Sequence, residues 1–243
     1  MTTPTSESAT REAAAALDGV ETTRPATAVR ADERSTGPAT QPATGITGAQ
    51  SLVRSLEAVD RADVALLVLE APQGVAEQDQ KVAVRAVEAG CGLVLLANKW
   101  DLMDDEARRQ FGVDLERKLY FVDWAAMLRI SARTGRGVEK IWGLVDQVLA
   151  ERSRRIPTAA LNQWLGQATE RTPPPPARGR SVKVRYATQA RVDPPEVVLF
   201  TSGQLTPSYR RYLEKDLRRT FGFEGTPVRL VVRVRTRERA GGR

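Results

Sequence analysis

Asn98-Lys99-Trp100-Asp101 follows directly on the apolar run Leu93-Val94-Leu95-Leu96-Ala97. The pattern N-K-x-D suits the reading of guanine. That base presents a ring N–H and an exocyclic amine side by side, and adenine does not. One carboxylate, Asp101, can accept both in a parallel, charge-assisted pair. Asn98 can bond the base edge and brace neighbouring loops, and Lys99 can lay its aliphatic stem across the base plane. Further along, Ser131-Ala132 offers a second tight loop whose backbone N–H can meet the guanine carbonyl oxygen. The bland alternative is an incidental surface turn.

Phosphates need a different device, a glycine-rich G-x-x-x-x-G-K-[ST] loop. The sequence has no Gly-Lys pair, and no D-x-x-G follows an apolar strand. Positioning and electrostatics supply nearly all of phosphoryl-transfer catalysis. The chain alone is therefore expected to be catalytically inert and to hold nucleotide weakly. It has no histidine, which removes His-based acid/base catalysis, Ser-His-Asp triads and the common zinc sites. Its single cysteine, Cys91, allows no intrachain disulfide and reads as a small inert residue entering a strand.

The elements that must position these residues follow from periodicity. Residues 1–50 are rich in Thr, Ala, Pro and Ser and hold few large apolar side chains, so they cannot offset the entropy of ordering and are read as disordered. From Ser51, Leu52, Val53, Leu56 and Val59 recur at helical spacing. Val64–Leu69, Leu93–Ala97 and Met127–Ile130 read as buried strands. Helices are expected over Glu77–Ala89, Asp104–Leu119 and Val138–Leu149. Alternation of this kind gives a parallel sheet covered on both faces, with ligands beyond the carboxyl ends of the strands. A second unit reads as helix Thr158–Thr169, a Pro173–Pro176 stop, strands Val182–Tyr186 and Glu196–Phe200, helix Pro207–Phe221 and strand Val228–Val234. The expected boundaries are a leader at 1–50, an α/β unit at 51–154, a small α+β unit at 155–236 and a basic tail at 237–243.

The charge is asymmetric. The chain of 243 residues carries a net +7, but residues 152–243 hold 20 Lys/Arg against 7 Asp/Glu, while residues 1–151 hold 17 against 23. A basic half on an acidic half points to separate partners, with nucleic acid a candidate for the basic one. Arg210, Arg211, Arg218 and Arg219 on the last helix are the expected phosphate contacts, or else a solvated helix face. No apolar stretch approaches the length of a membrane span and no signal-peptide core is present, so a cytoplasmic location is expected, with no membrane partner.

From Leu52 to about Val234 the chain resembles the Der (EngA) family of bacterial GTPases. The resemblance rests on Val53-Arg54-Ser55-Leu56, Arg61-Ala62-Asp63-Val64, Glu77-Gln78-Asp79, Asn98-Lys99-Trp100-Asp101-Leu102 and Ser131-Ala132-Arg133-Thr134-Gly135. It continues in Tyr186-Ala187-Thr188-Gln189, Ser208-Tyr209-Arg210-Arg211-Tyr212-Leu213-Glu214 and Phe221-Gly222-Phe223-Glu224-Gly225-Thr226-Pro227. The resemblance implies an incomplete P-loop GTPase-type sheet followed by a KH-like domain. It implies GTP or GDP as ligand, Mg2+ as the metal of the whole family, and action in ribosome biogenesis on the large ribosomal subunit and its rRNA. By position, Asn98, Lys99 and Asp101 look like the family's guanine motif, and Ser131 and Ala132 like its last guanine loop. The phosphate loop and switch regions of the family have no counterpart in this sequence, which suggests a truncated or frame-shifted gene product. A sheet without its first strands is expected to leave an open edge beside Val64–Leu69. The α/β unit is then expected to be poorly stable alone, and the KH-like unit able to fold by itself. The KH-like unit has no G-x-x-G loop between helices, so clamping of a single strand in the usual KH manner is not expected. The competing reading is a non-catalytic RNA- or ribosome-binding module.

Overall fold

The computed structural model describes residues 27–30, 48–177 and 179–234. The remaining leader positions and the basic tail lie outside the described residues. Within the leader, one short strand is described: β1, Thr27–Arg30.

After β1 come α1 (Gly48–Arg61), β2 (Val64–Glu70), α2 (Glu77–Ala89), β3 (Gly92–Asn98), α3 (Asp105–Lys118), β4 (Ala126–Arg129) and α4 (Ile141–Arg152). The four strands form one parallel sheet in the order β1-β2-β3-β4. β2 and β3 are buried almost throughout, as their unbroken apolar runs require. The pleat then sorts alternate residues to opposite faces. Ala65, Leu67 and Leu69 of β2 join Leu93, Leu95 and Ala97 of β3 under α1, α2 and α3, with Val59, Val82, Ala86 and Phe111. Val64, Leu66, Val94 and Leu96 face the other way, onto Val145 and Val148 of α4. Asp104 caps α3 by accepting the Ala107 amide at 2.8 Å.

Contrary to the expectation of an open edge, β1 covers β2 and pairs with it in parallel, Thr27 opposite Ala65 and Val29 opposite Leu67. The spacing of Thr and Ala residues in the leader gave no apolar run to announce a strand.

The second unit holds α5 (Thr158–Arg171), β5 (Val184–Arg191), β6 (Glu196–Thr201), α6 (Pro207–Phe221) and β7 (Arg229–Val234). β5 and β6 are antiparallel, β6 and β7 parallel, and α5 and α6 bury Leu161, Trp164, Leu213 and Leu217 against the sheet. β5 runs five residues beyond the expected Tyr186, because its polar end Thr188–Arg191 pairs with the apolar start of β6.

The two units are joined by main chain as well as side chains. Gly225 donates its amide to the Trp124 carbonyl (2.8 Å) and accepts from the Leu93 amide (2.7 Å). Its backbone therefore sits between the start of β3 and the residue chain leading into β4. Phe223, wholly buried in the second unit, donates to Glu151 Oε2 at 2.7 Å and adopts φ 71°. Such a left-handed backbone costs a non-glycine residue about 1–3 kcal/mol and persists only where neighbours enforce it. Arg152, 3% exposed, bonds the Gly90 carbonyl and pairs with Asp63 and Asp193.

Candidate nucleotide site

Asn98 ends β3, and the chain turns at Lys99, which lies in the left-handed region at φ 60° and ψ 30°. That turn throws Trp100 and Asp101 beyond the carboxyl end of the sheet. Two backbone bonds bring the following loop alongside: Ile130 donates to the Ala97 carbonyl (2.9 Å) and Trp100 to the Ile130 carbonyl (3.1 Å). The N-K-W-D and Ser131-Ala132 segments, far apart in sequence, thus become neighbours. The Trp100 ring fixes the outer side, meeting Phe111 edge-on at 6.0 Å and carrying the Arg129 and Arg108 guanidinium groups at 4.9 and 5.8 Å.

All five expected guanine residues meet here, in definite pairings. Asn98 Oδ1 accepts the Ala132 amide at 2.9 Å. Lys99 forms an ion pair with Glu70 at the end of β2. The Asp101 carboxylate accepts from the Ser131 hydroxyl and from Arg133 Nη2 at 3.0 Å. These two donors, Ser131 foremost, hold the Asp101 carboxyl below the usual carboxylate range. Ser131 is 1% exposed and locked in its turn, donating to the Arg136 carbonyl (3.0 Å) and accepting from Gly135 (2.9 Å). The sequence assigns a backbone N–H of the Ser131-Ala132 loop to a guanine oxygen; in this structure the Ala132 N–H is bonded to Asn98. Glu70 and Arg133 were not foreseen as parts of the site, although Arg133 stands beside Ser131-Ala132 in the sequence.

The four arginines of α6 have unlike surroundings. Arg218 is only 11% exposed in its side chain; it donates to the Phe223 and Thr226 carbonyls (both 2.9 Å) and to Glu214, and lies 4.9 Å over the Trp124 ring. Desolvation pulls its pKa down, opposed by Glu214. It is a seam residue between the two units and not a surface cation. Arg210 donates to the Leu230 carbonyl at 3.0 Å. Arg219 is exposed and pairs with the buried Asp216, which also accepts from Trp164 Nε1 and Arg171, each at 2.8 Å. Arg211 is exposed and lines a groove of about 760 Å³ with Tyr120, Phe121, Met127 and Lys215. No guanine-motif residue lines that groove.

Among the described residues, no group of three or more His, Cys, Asp or Glu is placed to hold a metal ion. No described helix is long and apolar enough to cross a membrane.

Residues 52–151 match the model of the elongation factor Tu GTP-binding domain, and residues 155–233 match the KH-like C-terminal domain of EngA bacterial GTPase enzymes. GTPase Der of Desulfitobacterium hafniense is 48% identical over 198 residues, covering 80% of this chain and 45% of the relative. GTPase Der of Mycobacterium tuberculosis is 46% identical over 191 residues, covering 79% and 41%. GTPase Der of Mycobacterium ulcerans is 44% identical over 188 residues, covering 77% and 40%. The chain spans less than half the length of these relatives. With the N-K-W-D turn at the carboxyl end of β3 and the KH-like unit latched behind it, this chain belongs to the Der (EngA) family of GTPases.

Proposed function

We propose that this chain recognises the base of GTP or GDP through Asp101, backed by Asn98, Lys99, Ser131 and Ala132, and that it acts at the large ribosomal subunit in ribosome biogenesis in the cytoplasm. The observation that carries the first part is the convergence of an ionised Asp101 with the Ser131-Ala132 turn at the carboxyl end of the sheet. Two parallel acceptors there match guanine and leave adenine unpaired. The sequence has no Gly-Lys pair for a phosphate cradle, so the reading concerns the base and assigns no hydrolysis to this chain's own residues. The test is displacement of a fluorescent GDP analogue. GDP is expected to compete and ADP not to, and Asp101→Ala is expected to abolish the difference. Equal competition by the two would overturn the reading.

The alternative, a non-catalytic RNA- or ribosome-binding module, is favoured by one observation. Residues 152–243 carry 20 basic against 7 acidic side chains. Arg210, Arg211, Lys215 and Arg219 are exposed cations of α6; Arg210 is partly occupied by the Leu230 carbonyl, Lys215 and Arg219 pair with Asp123 and Asp216, and Arg218 is engaged in the seam. Binding to an rRNA fragment should weaken steeply with salt, and Arg211→Ala with Arg219→Ala should lower the slope by about two phosphate contacts. An unchanged slope would remove these residues from the interface.

A further inference from the structure

We infer that Arg133 is an internal competitor for the guanine-reading carboxylate: its guanidinium takes the position on Asp101 that the base edge needs, and the base binds as Arg133 swings aside. The inference rests on the guanine reading above. Arg133 Nη2 lies 3.0 Å from Asp101 Oδ2. A guanidinium is a planar fork of N–H donors. The edge by which guanine is read, a ring N–H beside an exocyclic amine, is the same cyclic guanidine fragment. Arg133 is therefore a chemical mimic of the base, presented by the loop that the base must contact.

The other donor to Asp101 is built differently. Ser131 is 1% exposed, and its backbone is fixed by bonds to Arg136 and Gly135. It stays in place when a base arrives, and its hydroxyl uses one of the several lone-pair directions a carboxylate offers. The Arg133 side chain is 77% exposed and can leave into water. The Ala132 amide is likewise satisfied internally, by Asn98. The site thus keeps its shape and its polar partners without a base, and the displaceable element is Arg133.

An exposed ion pair of this kind changes a competing equilibrium about two- to five-fold. It is also screened by salt, since the Debye length falls from about 30 Å at 0.01 M to about 3 Å at 1 M. The test titrates the full chain with guanosine, which carries no phosphate for salt to act on, following the backbone amide signals of Asp101 and Ala132 by NMR, with adenosine as control. In the wild type, guanosine affinity is expected to rise about two- to five-fold with salt across that range. Arg133→Ala is expected to bind at the higher value at every salt. Equal affinity and equal salt response in the two proteins would overturn the competitor while leaving guanine recognition standing. Weaker binding by Arg133→Ala would also overturn it, by making Arg133 a contact of the base. Guanosine and adenosine shifting these amides alike, or neither shifting them in either protein, would overturn the guanine reading and the inference together.

Discussion

Leu93, the second residue of a central strand, donates its amide to the carbonyl of Gly225, a loop residue of the other unit, at 2.7 Å. The amide of Gly225 returns the bond to Trp124, so the two units share a main-chain ladder one residue long. Gly225 is at φ 71°, and a Cβ there would stand 2.3 Å from Val148 Cγ2. Gly225→Ala must therefore incur left-handed strain and also move α4. It is expected to destabilise the chain by about 2–6 kcal/mol, from about 1–3 for the backbone plus about 1–3 for overpacking. Both units should unfold earlier together in urea, by tryptophan fluorescence and by circular dichroism. Val148→Ala in the same chain should recover part of the loss. Loss confined to one unit would show that the ladder does not couple them.

Arg152 adds a buried charge to that seam. Its side chain is 4% exposed and reaches the Gly90 carbonyl, Asp63 and Asp193. Removing one partner of a buried charge pair costs about 3–5 kcal/mol, because the other charges stay behind. Arg152→Ala should thus lower the urea midpoint more than Arg211→Ala, whose side chain is at the surface. The isolated KH-like unit, 155–236, loses Arg152, Glu151 and Trp124 at once and is expected to fall below the stability it has in the whole chain. A midpoint equal to that of the whole chain would restore the picture of an independent domain.

This seam marks the limit of what the sequence discloses. Strands such as Leu93–Ala97 are legible because a both-faces-buried strand must be apolar throughout, and N-K-W-D is legible because the base discrimination proposed for it needs those side chains in that spacing. Arg152 and Arg218 read as ordinary basic residues, since nothing local tells a guanidinium spent on carbonyls from one in water. Phe221-Gly222-Phe223-Glu224-Gly225 is conspicuous in composition, yet its role depends on Leu93, Trp124 and Glu151, residues of the other unit. Strand β1 is hidden for the same reason, since its partner Ala65–Val68 supplies the reason for it to be extended.

The base-reading step can be inverted chemically. Asp101→Asn replaces one acceptor oxygen by an N–H2 donor. Guanine then faces amine with amine, whereas xanthine, with a carbonyl in place of the exocyclic amine, gains a partner. Competition assays should show preference passing from guanine to xanthine by at least about tenfold, the value of one good hydrogen bond to a charged or buried group. The wild-type preference should also survive acidification through the ordinary Asp range, because Ser131, the foremost donor lowering the Asp101 pKa, stays in place when the base arrives. Loss of guanine preference already near pH 5 would contradict that assignment.

Asp79 moves the other way. It is 3% exposed at the start of α2, and burial raises its pKa from 3.8 to about 6, opposed by the hydrogen bond from the Ala76 amide (2.8 Å) and by the Lys118 charge. A carboxyl whose folded pKa exceeds its unfolded pKa binds protons more tightly when folded. Its effect is therefore absent well below pH 4, grows as pH rises from 4 to 6, and is a constant destabilisation above that. A rise of this size corresponds to about 3 kcal/mol at neutral pH. Asp79→Asn keeps an oxygen for the Ala76 amide and removes the titration. It should unfold at a higher urea concentration than the wild type at pH 7, with the two converging at pH 4. The retained cap and the removed desolvation cost both act in the same direction, so a variant less stable than wild type at pH 7 would mean that the ionised carboxylate, held by the Ala76 amide, is a net stabiliser of α2.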